Sequence, residues 1–124
     1  MKLKEYNMIA HKDVVLIAEL VMQHTGLNIF KDTRKRNYVE ARSIFYHILK
    51  TEYNTTYHFI EDFMEANGKP VNHATVLHSV NNFESYALFN KNLSYVKDIV
   101  LKAVENVRYN VLEELNIEIK SQAI

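Results

Sequence analysis

Between residues 72 and 80 the chain reads Asn-His-Ala-Thr-Val-Leu-His-Ser-Val, and the residues that open this stretch are short or hydrogen-bonding, with no acid among them. Asn72 is of a type favoured at helix N-caps. Val76, Leu77, Val80 and Phe83 recur at the spacing of one buried helix face, which puts Ala74, Thr75, His78 and Asn82 on the opposite side. The chemistry open to such a helix start is recognition rather than turnover, because short donors, acceptors and methyl groups can read base edges in a groove. The competing reading is the solvated face of a core helix. A second group lies upstream, where Lys31, Arg34, Lys35 and Arg36 stand against the single acid Asp32. Runs of this kind are often no more than solvated loops. Arg42 extends the patch into the first turns of the next helix, the end at which the helix dipole disfavours a cation, and this points to an external anion.

Other residue sets offer less. His73 and His78 are five residues apart and do not share a helical ridge, so they are not a metal pair. His11, His24, His47 and His58 have no shared spacing with acids that suggests ligation. Glu61, Asp62 and Glu65 form a carboxylate cluster without a nucleophile or a glycine-rich turn, which reads as a solvated face. Tyr38, Tyr46, Tyr53 and Tyr57 could stack on unpaired bases, but their helical spacing fits half-buried core positions better. The only glycines are Gly26 and Gly68, too few for a dinucleotide fingerprint or a P-loop. No enzymatic activity, cofactor, metal or nucleotide is expected.

The elements that must hold these residues fit one domain spanning residues 1–124. Of the chain, 48% is hydrophobic, including eight tyrosines and six phenylalanines, enough for a packed core. Fifteen basic and fifteen acidic side chains cancel, so any attraction for nucleic acid has to be local. Cysteine is absent, and the N-terminal Met-Lys-Leu-Lys-Glu-Tyr lacks the apolar core of a signal peptide. A soluble, cytoplasmic protein without a membrane span is expected.

Hydrophobic periodicity predicts an all-α fold of about five helices. The first runs from about Lys12 to His24 and stops at Gly26. The second begins after Asn37, where Asn37 and Glu40 have capping-box spacing, buries Ala41, Ile44, Phe45, Ile48 and Leu49, and reaches about Tyr53. A short third helix, capped by Thr55 or Thr56, ends near Asn67. Gly68-Lys69-Pro70 is a turn, and the fourth helix follows from Asn72 to about Tyr86 or Leu88. A long last helix runs from about Ser94 toward Ile119, with Val96, Val100, Ala103, Val104, Val107, Val111 and Leu115 on one stripe. Two helices joined by a turn, the second opening on exposed polar residues, have the organisation of a helix-turn-helix.

The segment from Arg34 through Ser43, Arg-Lys-Arg-Asn-Tyr-Val-Glu-Ala-Arg-Ser, together with the block from Asn72 to Val80, resembles the C-terminal DNA-binding domain of the bacterial replication initiator DnaA. That family carries a basic loop, an arginine opening the next helix, and Asp-His-Thr-Thr-Val-Leu-His-Ala at its recognition helix. Here His73, Thr75, Val76, Leu77 and His78 keep that pattern and Ser79 stands for alanine. The resemblance covers residues 12 to about 106. It implies duplex DNA binding, with Asn72, His73, Ala74 and Thr75 reading the major groove, His78 beside them, and Arg34 in the adjacent minor groove. It also implies phosphate or base-edge contacts from Arg42, with Lys35, Arg36, Ser43 and Lys69 supporting them. Asn72 and Ala74 depart from the family's aspartate and threonine, so a different base sequence is expected. Ala74 suits a thymine methyl and Asn72 an adenine. Glu40, Ala41 and Ser43 replace the family's arginine, proline and glutamine, which weakens the grip on phosphate.

Two functions follow as expectations. One is sequence-specific binding of double-stranded DNA by a replication or transcription regulator of a phage or mobile element. The other is a helical protein-interaction module of the same fold that has lost DNA binding. Residues 104–124 are a candidate dimerisation extension for a homodimer, since they lie beyond the resembling domain.

Overall fold

The computed structural model describes the backbone of residues 11–122 and the side chains of residues 11–116. The N-terminal decapeptide read above for a signal sequence, and the part of the dimerisation extension past residue 116, lie outside those side-chain limits. Five α-helices and no strand occupy the described residues, as the periodicity predicts: α1 His11–Thr25, α2 Arg36–His47, α3 Tyr57–Ala66, α4 His73–Phe89 and α5 Asn92–Gln122. No helix among them is long and apolar enough to cross a membrane.

Helix ends are set by local chemistry. Gly26 closes α1 with φ of 73° and its N–H donates 2.8 Å to the Met22 carbonyl, a left-handed cap that a side chain would strain. Gly68 does the same for α3 with φ of 87°. There the Gly68 and Lys69 amides donate to the carbonyls of Glu65 and Met64 at 3.0 and 2.9 Å, the paired bonds of a Schellman motif. Thr56 caps α3 by accepting from the Phe59 amide at 3.0 Å, whereas Thr55 is buried, so the cap falls to the second of the two expected threonines. Asn72 caps α4 as expected, its side-chain oxygen accepting from the Thr75 amide at 2.8 Å. The expected capping box at Asn37 and Glu40 is corrected: α2 starts at Arg36 after Lys35, without a side-chain cap. Glu40 is turned to Arg36 instead, accepting from its Nε at 2.9 Å, and its other oxygen accepts from Asn90 at 3.0 Å.

At the centre lies α2, in which every residue from Glu40 to Tyr46 is buried. It continues as a π-helical turn, Ile48–Glu52, and then reverses at Asn54, a non-glycine residue with φ of 53°. Helices α1, α4 and α5 all pack on α2, and α1 also packs along α5. The core joins Ile17 and Val21 of α1, Ile44 and Phe45 of α2, Ile60 and Met64 of α3, Val76 and Phe83 of α4, and Val96 and Val100 of α5. Leu77, expected on the buried face of α4, is 36% exposed, because the face α4 turns inward runs through Val76, Ser79 and Phe83.

The long α5, 31 residues and roughly 46 Å at 1.5 Å rise per residue, overruns the bundle. Among the described side chains Val104 is its last buried one, and every side chain from Glu105 to Asn116 is exposed. Arg108 still ties α5 back to α1 through Asp13, at 2.9 Å, and this hydrogen bond raises the guanidinium pKa. Beside that bond the Val107, Val111 and Leu112 side chains form an open groove with Val15 and Leu16 of α1.

Candidate nucleic-acid interface

The loop from Leu27 to Lys35 is built, not slack. Ile29 is fully buried at its base, and the Phe30 amide donates to the Asn28 side chain at 2.9 Å. Turn hydrogen bonds link Lys31 to Asn28 and Thr33 to Lys31 at 3.1 and 3.0 Å. From below, Arg42 fixes it: the Arg42 Nε donates 2.7 Å to the Ile29 carbonyl and Nη2 donates to the Lys31 carbonyl. Arg42 is 6% exposed, and burial lowers its pKa. Its expected role as a phosphate or base-edge contact is therefore corrected. The guanidinium is committed to two loop carbonyls, and its place on α2, midway along Arg36–His47, is explained by them rather than by an external anion. Ser43 is corrected too, since it is fully buried and its hydroxyl donates 2.6 Å to the Glu40 carbonyl.

Loop and helix meet across a cleft of about 860 Å³ between α2 and α4. Arg34 and Thr33 line it from the loop, Lys69 and Val71 from the α3–α4 turn, and Asn72, Ala74, Thr75 and His78 from the first two turns of α4. No carboxylate is among the lining residues. Arg34 and Lys35 are exposed. Lys69 is held with its side chain 16% exposed, 3.5 Å from Asp32 on the loop, so one ion pair bridges the two positive segments. Arg36 is exposed but shares its charge with Glu40. Ala74, Thr75 and His78 are exposed, as expected, while Asn82, expected beside them, is half-buried and donates to the His78 carbonyl at 2.7 Å.

Two residues to which the resemblance gives a reading role are engaged within the fold instead. Asn72 uses its side-chain oxygen for the cap, so pairing with adenine through that oxygen competes with holding the helix start. His73 leaves the cleft and turns to α3: its ring lies 4.5 Å from the Tyr57 ring, with Nδ1 3.9 Å from a Glu61 oxygen. Spacing alone missed Tyr46, Val39 and Tyr86 as cleft residues. The signal was present, because Val39, Arg42 and Tyr46 share one ridge of α2, and Thr75, Ser79 and Tyr86 one of α4. Tyr46 is buried with its pKa pushed up to about 12 by desolvation, slightly offset by Arg42.

Among the described residues no group of three or more His, Asp or Glu side chains is arranged to hold a metal ion. Comparison of the chain with protein-family models, curated proteins and solved structures finds no match in any of the three.

Proposed function

We propose that this all-α protein binds duplex DNA sequence-specifically, with the start of α4 in the major groove and the loop from Leu27 to Lys35 on the neighbouring backbone and minor groove. The observation that carries the reading is the convergence of Arg34 and Lys69 with Asn72, Ala74, Thr75 and His78 around one carboxylate-free cleft, although the whole chain has no net charge. Cations at its rim suit phosphate, and short side chains on an exposed helix start suit base edges. The resemblance of residues 34–43 and 72–80 to the DnaA C-terminal domain adds the helix-turn-helix placement. Arg34 and Lys35 supply the charge, Lys69 orients the turn, and Arg42 acts through the loop it fixes. That reading carries with it a role as a replication or transcription regulator of a phage or mobile element in the cytoplasm. Selection from random duplexes at low salt tests the reading: a short enriched motif, bound less tightly as salt rises, supports it, and no enrichment refutes it.

A second reading rests on α5. The exposed apolar side chains of Val107, Val111, Leu112 and Leu115 favour a protein partner, and a second copy of this chain is the simplest one. Pairing there would carry two copies of α4 to two half-sites. A monomeric mass at micromolar concentration removes this part of the proposal.

A further inference from the structure

The hydroxyls of Tyr46 and Ser79 have no hydrogen-bond partner in the fold. Both residues are more than nine-tenths buried, and both line the cleft between α2 and α4. A buried hydroxyl without a partner destabilises the protein that holds it. Two of them, on residues that line one cleft from opposite helices, are therefore a cost that an incoming acceptor can relieve. His47 Nδ1 is also buried without a partner, but it lies outside the cleft, stacked on Phe83 at 4.1 Å.

Around the two hydroxyls the lining charges are all of one sign, with Arg34, Arg42 and Lys69 present and no carboxylate among them. Asp32 touches Lys69 at 3.5 Å but is itself 96% exposed, where solvent screens it. The remaining walls, Val39, Pro70, Val71 and Tyr86, are largely apolar. At about 860 Å³ the cleft lies within the range of small-molecule sites, which combine apolar walls with a few convergent polar groups.

We propose that this cleft binds a small organic anion. Its phosphate or carboxylate head accepts hydrogen bonds from Tyr46 and Ser79 and is balanced by Arg34 and Lys69, while its apolar body packs on Val39 and Val71. Both hydroxyl oxygens are closed to solvent, so the head reaches them only as the side chains of α2 and α4 part to admit it, an adjustment open to a free small anion and not to a phosphate fixed on a duplex. Asn72, Ala74, Thr75 and His78 line the same cleft, so an occupant competes with DNA. That consequence rests on the DNA-binding reading, whereas ligand binding itself does not.

Phenyl phosphate, which joins an anionic head to an apolar body, is the probe, titrated into the isotope-labelled full chain without DNA and followed by amide shifts. Saturable shifts centred on residues 33–34 and 69–79 are expected, with inorganic phosphate binding more weakly. Tyr46→Phe and Ser79→Ala should each weaken phenyl phosphate by about tenfold, the effect of losing one hydrogen bond to a charged group. Neither variant should lower folding stability, because each removes only a hydroxyl without a partner. Absence of saturable shifts in the cleft, or unchanged affinity in both variants, overturns the site. Benzyl alcohol binding as tightly as phenyl phosphate overturns the requirement for an anion. Displacement of a selected duplex by phenyl phosphate supports the competition, and simultaneous binding overturns it. A chain that selects no duplex refutes DNA recognition and leaves the titration to decide the ligand site alone.

Discussion

Replacing Arg42 separates a residue that shapes the interface from one that touches the ligand. In Arg42→Ala, the Ile29 and Lys31 carbonyls lose their guanidinium donors, and the buried side-chain methylenes leave a void. Hydrogen bonds to a charged group contribute about 1.5–3 kcal/mol each. Removing a desolvated cation returns part of that, since its burial is unfavourable and lowers its pKa. The expected net loss is about 2–4 kcal/mol of folding stability. Arg42→Lys keeps the charge but not the fork that spans two carbonyls, so about half of the loss should remain. Urea unfolding followed by circular dichroism, with unchanged dependence on denaturant, gives the magnitude. Amide exchange at Lys31 and Thr33 shows whether the loop has loosened, since the bond between these residues closes its turn. A direct phosphate contact behaves in the opposite way: alanine would leave the urea midpoint in place and lower the salt dependence of DNA binding by about one phosphate. A stability change below about 0.5 kcal/mol refutes the structural role.

Three further outcomes follow from the same geometry. Asn72→Ala should cost about 1 kcal/mol through the lost cap, while Asn72→Asp keeps a capping oxygen, so thermal unfolding of the pair separates its capping role from any reading role. Gly68→Ala should destabilise by about 1–2 kcal/mol, because φ is 87° while an added methyl group meets nothing within 4 Å, so backbone strain in the fold outweighs the smaller gain from a stiffer unfolded chain; an unchanged melting temperature would contradict it. His47 is desolvated and lies near Lys97, which together lower its pKa below 6.5. The unfolded chain then binds its proton first, so stability falls as pH drops through 6.5 and levels off below the folded-state pKa; His47→Gln should flatten that slope in urea midpoints taken between about pH 5 and 8.

Much of this architecture was legible in sequence. Gly26 and Gly68 mark helix ends because few other residues tolerate a positive φ, and Asn72 marks a start because its side chain mimics a backbone acceptor. The interior of α2 was not legible. From Glu40 to Tyr46 it is buried on all sides, so its polar residues carry no signal of depth, and Arg42 and Ser43 read as surface groups. Glu40 has capping-box spacing to Asn37 and ion-pair spacing to Arg36 in sequence, and only the tertiary structure, with Asn90 arriving from the end of α4, shows which prevails. For His73 the resemblance implies a reading role, but a motif match does not show the Tyr57 and Glu61 side chains that meet its ring from α3. The cleft itself joins residues 33–34 to residues 69–79 through tertiary packing, which no local period encodes.

The central claim is that exposed side chains at the start of α4 read base edges. Selection from random duplexes, run side by side on the wild-type protein and Ala74→Thr, tests it most directly, since Ala74 is exposed on the cleft and its replacement disturbs no packed neighbour in the core. The account predicts one enriched motif for each protein, alike except at one or two adjacent base pairs, with discrimination there changing by about 1–3 kcal/mol. Identical motifs from both proteins, or no motif from either, would contradict it.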